Sequence, residues 1–191
     1  MQALRVGRRG FFLAALFVST AFAQGIEERL KVCAGCHGAD GNSALAGTPS
    51  LAGQPRIFLE NYLVLTREEM RGTKVMQDLL KGVKDPDIVA MATHYSKLAP
   101  KASEGALDKP LFARGKAVAA KNRCGNCHLP DFRGREQMPR LAGQREDFLA
   151  QTMIAYQQNK RSGGDTVMAD ALYGIAEADI KALAHYLSRL R

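Results

Sequence analysis

Apolar residues recur at helical spacing in two matching stretches of this chain. Ile88, Met91, Ala92, Tyr95 and Leu98 form one stripe, and Ile180, Leu183, Ala184, Leu187 and Leu190 repeat it in register. Steps of three and four put each set on one face of an amphipathic helix. Asp85-Pro86 supplies a start signal for the first, because proline is tolerated in an opening turn. Phe58, Tyr62 and Leu65 mark an earlier helix, and Gly25 to Cys33 and Leu111 to Cys124 read as two more. No stretch alternates apolar and polar residues as a half-buried strand would. The fold class read from this pattern is all-α.

The repetition extends beyond the stripes. Pro49-Ser50-Leu51-Ala52-Gly53-Gln54 returns as Pro139-Arg140-Leu141-Ala142-Gly143-Gln144, and Phe58-Leu59 returns as Phe148-Leu149, both at a shift of 90 residues. Val75-Met76, Gly82, Asp87 and Ile88 return as Val167-Met168, Gly174, Asp179 and Ile180 at a shift of 92. Duplication on this scale implies two modules of similar fold, residues 24–98 and 111–191. The segment 99–110 contains two prolines, a glycine and four charges, and reads as the linker.

The first 23 residues read as a leader. Arg5, Arg8 and Arg9 form a basic start, Phe11 to Val18 is an apolar run, and Ala21-Phe22-Ala23 is a small-x-small cleavage site. Cleavage after Ala23 leaves Gln24 as the first residue. The apolar run is too short to span a bilayer comfortably, so no stable membrane span is expected once the leader is removed. Arg8-Arg9-Gly10-Phe11 resembles a twin-arginine signal without the preferred polar residue before the pair, and the general secretory route is favoured. The expected location is the periplasm.

The full chain has 191 residues and a formal charge of +8, which falls to +5 without the leader's three arginines. The charges are scattered with no long basic block, so nucleic-acid binding is not expected. A net positive surface suits docking with an acidic partner, and an ordinary solvated surface explains it as well. Modules of this size are small for an independent apolar core.

Chemistry enters with the cysteines. All four in the chain lie in Cys33-Ala34-Gly35-Cys36-His37 and Cys124-Gly125-Asn126-Cys127-His128. Cys-x-x-Cys-His is the attachment signal for c-type haem. On a helical turn, positions i, i+3 and i+4 share a face, so two thiols and an imidazole reach the same flat macrocycle. Cys33, Cys36, Cys124 and Cys127 are the candidate attachment points, and His37 and His128 the proximal iron ligands. Half of a zinc site, a thioredoxin-like couple and structural disulfides are the alternatives, and none requires a histidine directly after the second cysteine, twice. A large apolar cofactor also answers the problem of size, since it gives the helices something to bury against.

Haem in electron-transfer proteins commonly takes histidine and methionine as axial ligands. Comparing the copies, Met153 aligns with Leu63 and Met91 with Leu183, which marks both as core residues. Met138 aligns with Thr48, and Met70 has no methionine counterpart. Only Met76 and Met168 coincide. Each follows a polar, glycine-containing segment, Arg71-Gly72-Thr73 and Ser162-Gly163-Gly164-Asp165, which suits a loop approaching the iron from the distal side. The rivals are His94 and His185, but His94 aligns with Tyr186, one position out of register, and both read as helix-surface histidines. Pro49 lies 12 residues after His37 and Pro139 lies 11 after His128, so each proline carbonyl is a candidate acceptor for the imidazole's other N–H. The Leu-Ala-Gly-Gln runs read as starts or caps of the following helices, with glycine allowing close approach.

Together these residues resemble the class I dihaem cytochromes c, especially the cytochrome c4 family, over essentially the whole chain after the leader. The resemblance implies two tandem cytochrome c domains, each wrapped around one covalent haem, packed across a pseudo-twofold interface. It also implies single-electron transfer in a periplasmic respiratory chain, with no catalytic residues of its own. The partners are then a respiratory donor and a terminal oxidase or reductase. A second reading is the electron-accepting dihaem subunit of a dehydrogenase complex, such as flavocytochrome c sulfide dehydrogenase. The halves differ next to the motifs, Gly38-Ala39-Asp40-Gly41 against Leu129-Pro130-Asp131-Phe132, so the two potentials are expected to be unequal.

Overall fold

The computed structural model describes residues 19–161, 163 and 166–191, with side chains from residue 25 onward. The leader's basic start and apolar run lie outside the described residues. The elements are all helical: α1 (Ser19–His37), α2 (Arg56–Arg67), α3 (Lys74–Leu80), α4 (Asp85–Ser96), α5 (Lys109–Lys121), α6 (Gly125–His128), α7 (Glu146–Gln157), α8 (Thr166–Leu172) and α9 (Glu177–Ser188). Among the described residues strand pairing is limited to one isolated bridge, Arg135 with Met138. None of the described helices is long and apolar enough to cross a membrane.

The predicted stripes become the two helices around which the rest is packed. In α4, Ile88, Met91, Ala92 and Tyr95 are buried, and in α9 the buried set includes Ile180, Leu183, Ala184 and Leu187. The apolar residues of α4 gather with Leu59, Leu80 and Val83, with Leu30 and Cys33 of α1 packed against them. Those of α9 gather with Ala119, Phe132, Leu149, Met153 and Leu172. Met91 and Met153 are core residues, as their alignment with leucines predicts. α4 opens at Asp85 with proline in its first turn. Pro110, read as linker, instead sits in the first turn of α5, where Asp108 caps the helix by accepting the N–H of Leu111 at 2.9 Å.

Equivalent loops keep their hydrogen bonds while changing side chains. Gly41 accepts the N–H groups of Leu51 and Ala52 at 2.7 and 3.0 Å, and Phe132 accepts those of Leu141 and Ala142 at 2.8 and 3.0 Å. Both have left-handed backbone, with φ of 73° and 56°. Glycine adopts it freely, whereas a phenylalanine does so at a cost. The second module recovers that cost by seating the Phe132 ring in the core, edge-on to Tyr186 with centroids 5.8 Å apart. In the first module a Cβ at Gly41 would meet Leu98 at 3.0 Å, so that space is already filled.

The modules meet along two reciprocal sets of contacts. The Arg71 guanidinium lies 5.1 Å from the Tyr62 ring centroid and donates to the Tyr156 hydroxyl at 3.3 Å. Arg161 lies 4.9 Å from the Tyr156 ring centroid and donates to the Tyr62 hydroxyl at 3.5 Å. Beside these, the segment 43–50 faces the segment 140–147. Gly47 N–H donates to Asp147 at 2.8 Å, and Arg145 donates to the Ser43 carbonyl at 3.1 Å. The linker is tied to both modules. Lys101 N–H donates to Asn42 at 2.9 Å, and Ser103 N–H donates to the Ser188 carbonyl at 3.0 Å.

Gly115 lets α5 and α9 approach closely, since a Cβ there would lie 2.0 Å from the Ala182 carbonyl oxygen and 2.6 Å from the Tyr186 Cβ. Intrinsic helix propensity favours alanine over glycine by about 1 kcal/mol. Gly115→Ala is expected to destabilise nonetheless, by about 1–3 kcal/mol, because the two helices must separate. Gly25→Ala, which meets nothing within 4 Å, serves as the control and is not expected to destabilise. Denaturant unfolding of the two haem-loaded variants checks this.

Candidate haem centres

In the first module α1 runs unbroken through the Cys-x-x-Cys-His pentapeptide to His37. In the second the lead-in helix α5 ends at Lys121, and Cys124 then directly precedes the one-turn helix α6 that carries Cys127 and His128. Despite that break the three groups are graded alike. The first cysteine is half-buried and the second exposed in both copies. His37 and His128 are 5% and 4% exposed.

Each histidine reaches the acceptor the spacing predicts. Nδ1–H of His37 donates to the Pro49 carbonyl at 2.8 Å, and Nδ1–H of His128 donates to the Pro139 carbonyl at 3.0 Å. A carbonyl can only accept, so the bond fixes the tautomer and leaves Nε2 as the ligating nitrogen. Burial pushes both imidazoles below their ordinary pKa, against a smaller upward pull from the proline carbonyls. Both shifts favour the neutral ring, the form that binds iron. His128 Nε2 is buried without a hydrogen-bond partner. An orphaned buried nitrogen costs about 1–3 kcal/mol, and an iron ligand bond removes that cost. Two thiols and one buried imidazole per module are the donor set that covalent haem requires, and the residues fit it.

The competing cysteine chemistries find no support in the geometry. Cys33 and Cys124 pack against separate apolar clusters, so the two pairs do not meet as a four-cysteine site. Among the described residues no group of three or more His, Cys, Asp or Glu side chains gathers to hold a metal ion. Burial pushes the thiols of Cys33 and Cys124 upward in pKa, opposite to the shift that activates a redox nucleophile.

Met76 and Met168 occupy equivalent places, in the first turns of α3 and α8. They sit one step past the loop that the sequence suggests. Thr73 starts α3 by accepting the Met76 N–H, which draws this residue into a helix. Both methionines are half-buried, packed against the cluster of their own module. Met70 is 58% exposed.

His185 departs from its expected place. Instead of lying on a helix surface it is 3% exposed. Its Nε2 accepts the Asp108 N–H at 3.1 Å, and its Nδ1–H faces both Glu146 oxygens at 3.2 Å. Arg189 completes the group by donating to Glu146 at 2.8 Å. Asp108 lies 77 residues before His185 in the chain, which is why helical periodicity could not reveal the burial. Both ring nitrogens are engaged, so His185 anchors the linker to α9 and has no nitrogen left for iron. Gln54 and Gln144 are the other buried polar residues that sequence reading placed wrongly, as helix starts or caps. Their exact repetition was the available signal.

Residues 112–191 match the family model described as cytochrome c. The cytochrome c4 of Pseudomonas aeruginosa is 29% identical over 175 residues, covering 86% of each chain. The thiosulfate dehydrogenase electron acceptor of Thiomonas intermedia is 29% identical over 167 residues, covering 82% of this chain and 77% of that one. Among solved structures, reduced recombinant cytochrome c4 from Pseudomonas stutzeri superposes with a TM-score of 0.79 at 26% identity, covering 88% of this chain and 98% of that one.

His185→Ala is expected to lower stability by about 1–3 kcal/mol, because the Asp108 N–H loses its acceptor and the Glu146 carboxylate loses a donor. The visible spectrum of both haems should not change. Thermal unfolding and absorption spectra of the same sample check both halves of this expectation.

Proposed function

This chain belongs to the cytochrome c family, as a dihaem electron-transfer protein of the cytochrome c4 kind, and on that basis we propose that it carries single electrons in a periplasmic respiratory chain. It carries two covalently bound c-type haems. Residues 24–98 hold one through Cys33 and Cys36, and residues 111–191 hold the other through Cys124 and Cys127, with 99–110 as the connection. His37 and His128 are the proximal ligands. The observation that carries this reading is the pair of buried imidazoles, each oriented by a proline carbonyl.

Met76 and Met168 are the distal ligands. Support comes from their equivalent positions on α3 and α8 and from their packing against the two cores. Each bound haem supplies a one-electron couple at its iron. The chain's own residues set that couple. Methionine ligation raises the potential, the imidazole hydrogen bond lowers it, and burial disfavours the added charge. Iron held by both the histidine and the methionine of a module would keep no open position for substrate, which suits transfer rather than catalysis.

A second reading is favoured by one specific resemblance. The Thiomonas intermedia relative is named as an electron acceptor of thiosulfate dehydrogenase, and it matches most of this chain. On that reading the protein is the electron-accepting subunit of a dehydrogenase complex. Purification from native periplasm and membranes separates the two. A freely reducible protein without a companion supports the carrier, whereas a co-purifying catalytic subunit supports the complex.

Met76→Ala and Met168→Ala are each expected to lower the potential of one haem and open its iron to external ligands such as cyanide. The methionine–iron absorption band should lose about half its intensity in each single variant, since one of two haems is affected. An unchanged spectrum in either variant would remove that methionine from the ligand set.

A further inference from the structure

The two Leu-Ala-Gly-Gln runs end in glutamines whose side chains cross the interface. Gln144 and Gln54 are each 5% exposed. The Gln144 side-chain oxygen accepts the N–H of Ser50 at 2.8 Å, and its amide nitrogen donates to the Ser50 carbonyl at 2.9 Å. Gln54 makes the mirror pair, accepting the N–H of Arg140 at 3.0 Å and donating to the Arg140 carbonyl at 2.9 Å. Ser50 and Arg140 are equivalent positions, 90 residues apart. The cavity these residues line is only about 10 Å³, so the contacts are direct.

Each clamped residue directly follows the proline that binds a histidine. The N–H of Ser50 and the carbonyl of Pro49 belong to one peptide group, and so do the N–H of Arg140 and the carbonyl of Pro139. A continuous chain of hydrogen bonds therefore runs from Gln144 through the Pro49–Ser50 peptide to Nδ1–H of His37. The counterpart runs from Gln54 through the Pro139–Arg140 peptide to Nδ1–H of His128. An acceptor on the N–H side of a peptide group polarises its carbonyl, and hydrogen bonds in such a chain strengthen one another. A stronger carbonyl acceptor makes the imidazole a more electron-rich ligand, which stabilises the oxidised iron.

We infer that Gln54 and Gln144 are crossed positioning residues, each tuning the proximal histidine, and so the potential, of the haem in the opposite module. The inference rests on His37 and His128 being the proximal ligands, as proposed above. The modules are not served equally. The 43–50 segment is also held from across the interface by Arg145 and Asp147, which do not touch the Pro49–Ser50 peptide.

The test uses the haem-loaded full chain and measures each haem's potential by NMR-monitored redox titration. Each haem is assigned to its module by through-space contacts to α1 or α6, to which it is covalently attached. Gln144→Ala should raise the potential of the first-module haem and leave the second unmoved, and Gln54→Ala should do the reverse. In the reduced protein the Nδ1–H proton signal of the affected histidine should move upfield. Asp147→Ala, which loosens the same interface without touching the peptide, should shift neither potential. The proposal is overturned if each glutamine acts on its own module, if both haems shift together, if neither shifts, or if Asp147→Ala reproduces the effect. His37→Ala separates this failure from that of the ligand reading: unchanged iron ligation in that variant removes His37 as a ligand, whereas lost ligation there, together with no crossed shift in the glutamine variants, removes the tuning alone.

Discussion

A histidine ring held by a proline carbonyl is the contact on which each half of this protein is organised. The bond measures 2.8 Å in one module and 3.0 Å in the other, although the lead-in helix is continuous in the first and broken in the second. Burial alone would leave an imidazole free to choose its tautomer and orientation. A carbonyl acceptor removes that choice and points the second nitrogen away from it. The loops from Gly38 to Pro49 and from Leu129 to Pro139 therefore need to deliver one oxygen atom to one place. Their different side chains, Gly41 in one and Phe132 in the other, are two solutions to the same backbone requirement.

The helices around that contact are short, and several are marginal by themselves. α3 and α8 have seven residues each, and α6 has four. Isolated helices of this length do not persist in water, so tertiary packing must hold them. Cys33 and Met76 pack against one apolar cluster, and Cys124 and Met168 pack against the other.

The interface adds a constraint absent from a single module. Aromatic rings, guanidinium groups and the two glutamine side chains all cross in reciprocal pairs, as expected when duplicated units pack about a pseudo-twofold axis. The pairing is imperfect. Arg145 and Asp147 of the second module hold the first module's loop, while Arg56, at the first module's counterpart of Glu146's helix start, is paired within its own helix to Glu60. Linker contacts add to the asymmetry, because the buried His185, backed by Glu146 and Arg189, anchors residue 108 to α9.

What the sequence determined by itself was local or repeated, though not every local or repeated feature was legible. Three-four spacing located α2, α4 and α9, the paired pentapeptides located the cofactor chemistry, and loop length brought the Pro49 and Pro139 carbonyls to their histidines. Comparison of the copies separated Met76 and Met168 from the core residues Met91 and Met153. The tertiary structure decided what depends on partners far along the chain. His185 is buried because Asp108 and Glu146 come to it from 77 and 39 residues away, and a helical stripe records only which face is apolar. Gln54 and Gln144 span 86 and 94 residues to reach backbone groups across the interface. A polar side chain that binds backbone leaves no complementary residue type in the sequence, so only the folded chain could show where those amides go.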